Sequence, residues 1–89
     1  METNEISEHE VRAFAVFRTS GWMTNKQLAE QARIGQRTAR AYTKKWTELG
    51  IADIAEVFPG HRYRLSELAD KRNAAYMKRL DAAASVFAE

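Results

Sequence analysis

The stretch from Leu28 to Gly50, LAEQARIGQRTARAYTKKWTELG, constrains this chain more than any other. It reads as two short helices joined by a tight turn. On a wheel of the second, Gln36 to Leu49, Ala39, Thr43 and Trp46 share one side with Gly50 beyond them and Tyr42 at the margin. Arg37, Arg40 and Lys44 fall within roughly one sixth of the circumference on the other side, so one face is for packing and the other is basic. Cations at spacings of three and four repel one another by about 0.2–0.5 kcal/mol per pair, and an anionic partner relieves that repulsion.

The order of residues within the stretch carries a resemblance. Leu28-Ala29, four residues, Ile34, Gly35, two polar residues, Thr38 and a helix closing on Leu49-Gly50 resembles the winged helix-turn-helix superfamily, whose second helix enters the DNA major groove. The resemblance implies that Gln36, Arg37, Arg40, Ala41 and Lys44 face base edges, where Arg favours guanine and Gln favours adenine. Arg33, Thr38 and Lys45 are then placed for phosphates. The chain departs from the superfamily at Ala39, Thr43, Trp46 and Arg33, where branched aliphatic residues, Leu and Gly are usual. Thr43 on the packed face brings a hydroxyl that needs a partner, its own backbone one turn back being the nearest. Gly35 is an acceptable N-cap.

Upstream, Ser7 and Glu10 have the spacing of a capping box, with Ile6 and Val11 as its hydrophobic staple. This predicts a first helix from about Glu8 to Arg18 that buries Val11, Phe14, Ala15 and Phe17 or the stem of Arg18, and stops near Gly21. Its acidic start turns it away from DNA. Trp22 and Met23 form a short extended bridge, after which Thr24 with Gln27, and Met23 with Leu28, repeat the box and staple. The start of this second helix presents free amides beside Lys26, so Thr24, Asn25 and Lys26 form a candidate phosphate contact.

Downstream, Ile51 to Phe58 and His61 to Leu65 read as two strands about a turn at Pro59-Gly60, with Tyr63 and Leu65 on one face. The ending YRLSE resembles the point where the superfamily's wing re-enters the core. His61, Arg62 and Arg64 are the wing's candidate DNA contacts, in a minor groove or on flanking phosphates. Ser66 caps a last helix expected from about Glu67 to Ala88. Along it Ala69, Asn73, Tyr76, Leu80, Ala83 and Phe87 follow at spacings of four and three, a heptad seam. Two readings of the seam are open. It pairs with a second copy of the chain, for which an antiparallel arrangement about residue 78 sets large residues against small ones, or it folds back on the first helix. Trp22, Trp46, Phe14 and Phe58 are expected in the core.

The expected fold is therefore mainly α with a small β-hairpin, α+β in class. Its order is helix, short strand, two helices, two-stranded wing and helix, in a single domain over 1–89 with its core in about 6–65 and a dimerisation helix over about 67–88. Charge distribution agrees with that layout. Residues 1–32 carry three cations against five carboxylates, residues 33–64 seven against three, and the remainder four against four. At 89 residues without Cys there is no disulfide framework or thiolate nucleophile, and no signal peptide or apolar run of about 18 residues is recognisable. The cytoplasm, at the nucleoid, is the expected compartment.

Catalysis has little support. His9 has no second His one turn on, His61 stands alone, and no Gly-rich phosphate loop is present, so neither an enzyme nor a cofactor or metal is expected. The leading expectation is a homodimeric, sequence-specific regulator that binds double-stranded DNA. Two alternatives keep the fold: an architectural, replication, partition or conjugation accessory with weak sequence preference, working with another regulatory or replication protein, or a protein-interaction module.

Overall fold

The computed structural model describes residues 6–57 and 60–87. Its helices are α1 (Glu8–Thr19), α2 (Asn25–Ala32), α3 (Gln36–Glu48), α4 (Ala69–Arg72) and α5 (Ala74–Phe87); between α3 and α4 lie strands β1 (Ala52–Val57) and β2 (Gly60–Leu65). Phe58 and Pro59, and with them the expected wing turn, lie outside the described residues, as does Ala88.

Both predicted helix starts are present, but they differ in kind. At α2 the box is complete: the Gln27 amide donates to Thr24 Oγ1 at 3.1 Å and the Thr24 amide donates to Gln27 Oε1 at 2.9 Å. Thr24→Ala is expected to cost about 1 kcal/mol, read as a lower thermal midpoint in circular dichroism. At α1 only half of the box forms. The Glu10 amide donates to Ser7 Oγ at 3.1 Å, while the Glu10 carboxylate turns inward. The buried stripe of α1 is Glu10, Ala13, Phe14 and Phe17, so Ala13 takes the place expected for Ala15, which is exposed.

Between α2 and α3 the chain turns through Arg33 in the left-handed region, with φ 60°, and the Ile34 amide donates back to Ala29 O at 3.0 Å. Gly35 starts α3 as its N-cap. Ala39, Thr43 and Trp46 are the buried side of that helix. After it Gly50 adopts φ +84°, and a Cβ there would press on the Arg72 side chain at 3.4 Å, so this corner suits glycine on both counts.

The wing is antiparallel, with Ile54 opposite Tyr63 and Ala55 opposite Arg62. The expected short extended segment at Trp22-Met23 is a single bridge. The Met23 amide donates to Tyr63 O and the Tyr63 amide to Met23 O, at 2.9 and 2.8 Å. That bridge fixes the wing beside the start of α2. Tyr63 is buried and Leu65 half-buried, as their shared face predicts.

The expected single C-terminal helix is broken at Asn73, whose φ −153° and ψ 67° end α4. The heptad seam therefore does not lie on one continuous helix. Ala69, Tyr76 and Leu80 are buried in the protomer's own core, and Asn73 donates through Nδ2 to Leu49 O at 3.1 Å. Fold-back onto α1 is the arrangement found for Tyr76, which bonds Glu10, and for Leu80, which lies beside Val11 and Phe14, whereas Asn73 is tied to the end of α3. Of the expected dimer seam, half-buried Ala83 and exposed Phe87 are left outside the core. Spacing identified which residues share an apolar face but not what covers it.

Candidate nucleic-acid interface

Three segments far apart in the chain meet around one open groove of about 540 Å³. Thr24, Asn25 and Lys26 bring the N-terminus of α2, Gln36 and Arg40 the first turns of α3, and His61 and Arg62 the wing, with Tyr63 and Gly60 completing the wall. Among the described residues Lys26, Arg40 and Arg62 line it and no Asp or Glu does, so the groove they form is cationic. The first-turn amides of α2 also have no intrahelical acceptors, which adds partial positive charge at the same place.

Arg37, Ala41 and Lys44 are exposed and continue the basic face of α3 beyond the groove. Among the described residues, Gln36, Arg37, Arg40 and Lys44 form no side-chain hydrogen bond or ion pair within the protein. Their polar ends are therefore free for an external partner. Arg33 is exposed on the turn and Thr38 half-buried.

Three expected contacts are engaged elsewhere. Lys45 Nζ donates to Glu10 Oε1 at 2.7 Å and lies over the rings of Tyr42 and Tyr76, at 5.7 and 5.6 Å from their centroids, so in the free protein it ties α3 to the body. Arg64 stacks on Trp22, 4.6 Å from the ring centroid, pairs with Asp53 at 3.5 Å, and is not among the residues that line the groove. Trp22 is accordingly 42% exposed, although it was expected in the core. Asn25 lines the groove, but its Oδ1 accepts from Thr43 Oγ1 at 2.7 Å. Arg40 O, the backbone carbonyl one turn back, lies 3.1 Å from the same hydroxyl as the longer, alternative acceptor of its single proton.

The feature that sequence reasoning missed is the carboxylate under this surface. Glu10, 2% exposed, accepts from Lys45 Nζ, from Trp46 Nε1 at 3.0 Å and from the Tyr76 hydroxyl. Burial, with the neighbouring Glu10 carboxylate adding to it, pushes the Tyr76 hydroxyl well above its usual range, so it stays a donor. The serine three residues before Glu10 had explained this glutamate as a capping group, and its partners lie 35, 36 and 66 residues away.

A helix-turn-helix with a bridged hairpin beside it, and a basic second helix facing the open side, decides the architecture. The fold is a winged helix-turn-helix. Solved structures agree: BpsR of Bordetella bronchiseptica, whose DNA binding is regulated by 6-hydroxynicotinic acid, superposes on 97% of this chain with TM-score 0.67 at 8% identity. A MarR-family transcriptional regulator from Silicibacter pomeroyi covers 92% with TM-score 0.65 at 15% identity, and one from Neisseria meningitidis covers 93% with TM-score 0.63 at 18%. This chain spans 67%, 57% and 61% of their respective lengths. No protein-family model and no curated protein matches the sequence. Within the described residues, no helix of the winged-helix body is long and apolar enough to cross a membrane.

Proposed function

We propose that this chain is a transcriptional regulator that binds double-stranded DNA in the bacterial cytoplasm, as one winged-helix domain, with α3 in the major groove and the wing on the adjoining backbone or minor groove. The observation that carries the reading is the groove, lined by no carboxylate among the described residues, in which Lys26, Arg40 and Arg62 converge from three elements. Gln36, Arg37, Arg40 and Lys44 read base edges, with Ala41 leaving room for close approach. Lys26, the α2 amides and Arg33 hold phosphates, while His61 and Arg62 follow the wing side.

The reading includes a homodimer, because one subunit with about six phosphate contacts binds modestly at physiological salt. Support comes from the end of α5. Val86 and Phe87 are 69% and 42% exposed, and a small groove between α1 and α5 is lined by Val11, Phe14, Ala15, Leu80 and Ala84 with Arg18 at its edge. The reading puts the dimer contact on the last two turns of α5 and the outer face of α1, keeping Ala83 and Phe87 from the expected seam.

The test is selection from random duplex DNA, followed by affinity for the winner and for random duplex across a salt series. A recurring motif with two half-sites about 10 bp apart supports a dimeric regulator. Salt-sensitive binding without enrichment would replace it with an architectural role, and no binding at low salt would point to a protein partner. Lys26→Ala is expected to weaken all sequences alike and to reduce the salt slope by about 1.

A further inference from the structure

Glu10 is the one carboxylate buried among the described residues, and its three partners belong to two different helices. Lys45 and Trp46 come from the C-terminal half of α3, and Tyr76 from the first turn of α5. A second tie joins the same pair of helices. Asn73 donates through Nδ2 to Leu49 O, the end of α3, and through Oδ1 accepts the Tyr76 amide at 3.2 Å, capping α5.

Apolar packing alone tolerates sliding and rotation between helices, because its energy depends on area. Hydrogen bonds to a buried carboxylate do not tolerate it, since they weaken steeply with angle and a lost partner leaves charge unsatisfied. We propose that α5 sets the rotation of α3 through Tyr76, Glu10 and Asn73, which makes Glu10 and Tyr76 positioning residues for base readout although neither lines the DNA-facing groove.

The leverage is geometric. Side chains reach roughly 5–6 Å from a helix axis, so a turn of about 15–20° moves the groups of Gln36 and Arg40 by roughly 1.5–2 Å. A bidentate base contact does not survive that displacement. Phosphate contacts through long flexible side chains do, because they rely on charge more than direction. Whatever binds or bends α5 consequently reaches the recognition helix through these two ties. This deepens the DNA-binding reading and rests on it for its readout, while the coupling between helices is a property of the free protein.

Tyr76→Phe tests it, removing the hydroxyl while keeping the ring. In the free full-length protein, amide exchange at Lys45 to Leu49 and at the Trp46 indole is expected to accelerate about tenfold relative to α2. Affinity for the selected duplex is expected to fall about tenfold, with affinity for random duplex and the salt slope unchanged. Asn73→Ala serves as the second variant and is expected to shift the same α3 signals. Equal acceleration in every helix, or equal losses on selected and random DNA, would mean that Tyr76 only adds global stability and would overturn the inference, as would unchanged α3 exchange. If the parent protein binds no DNA, the DNA-binding reading fails, and exchange in the free protein still decides the positioning role.

Discussion

Trp46→Ala is expected to leave the chain largely unfolded at room temperature. The ring is fully buried, 5.3 Å from Phe14 in an edge-on contact, 4.8 Å from Phe17 and 5.8 Å from a stacked Tyr42, measured between centroids. Truncating a buried Trp or Phe to Ala costs about 3–5 kcal/mol, from lost transfer energy and the cavity left behind. The substitution also removes the indole N–H from Glu10, which adds about 1–3 kcal/mol for a buried acceptor left short of a donor. A domain of this length has roughly 4–13 kcal/mol in total. Thermal melting by circular dichroism is the measurement, with Trp46→Phe alongside. The Phe variant keeps most of the apolar volume and loses the donor, so it should fold with a lowered midpoint. A cooperative transition in Trp46→Ala within a few degrees of the parent would show that these contacts do not carry the core.

That expectation also shows why some of this fold was legible and some was not. Local signals did well: Thr24 and Gln27 are neighbours in space because they are neighbours in sequence, and their capping geometry follows from spacing alone. Periodicity did well for α3, whose packed side is Ala39, Thr43 and Trp46 as the wheel requires. Non-local choices were out of reach. Glu10 has two favourable destinations, the Ser7 amide nearby and the Lys45, Trp46 and Tyr76 donors far along the chain, and only the folded core brings the latter within reach. Tyr76 and Leu80 lie on an apolar face in either a dimer or a fold-back, and the backbone turn at Asn73, with its bond to Leu49 O, favours the second. Trp22 is apolar in composition, yet its place beside Arg64 depends on the wing's pairing with Met23.

The candidate interface divides in the same way. The basic face of α3 was readable as a face, because it lies on one helix. Which of its members share a groove with Lys26 and Arg62 was not, since that depends on the bridge from Met23 to Tyr63 that sets the wing against α2. Lys45 illustrates the limit most clearly. It is adjacent to Lys44 in sequence and equally basic, but one residue is about 100° around a helix, and that turns it from the solvent face onto Glu10.

Arg40→Glu is expected to abolish selective DNA binding without loss of structure. Arg40 is exposed, has no side-chain partner among the described residues, and lines the groove between Lys26 and Arg62. Removing a base-reading arginine costs about 1–3 kcal/mol, and a carboxylate in its place adds repulsion from the phosphates of order 1 kcal/mol at the dielectric of a wet interface. Together these amount to roughly 30- to 700-fold at about 1.4 kcal/mol per decade. Folding should be nearly unaffected, because surface substitutions away from caps and networks usually stay within about 0.5 kcal/mol. The informative measurement is affinity for the selected and the random duplex against salt concentration, beside the thermal midpoint of the same preparation. A loss of affinity for the selected duplex larger than that for random duplex, with an unchanged midpoint, would place Arg40 at the base edges. An unchanged affinity would remove the groove from the contact surface, leaving the outer positions Arg37 and Lys44 to account for binding.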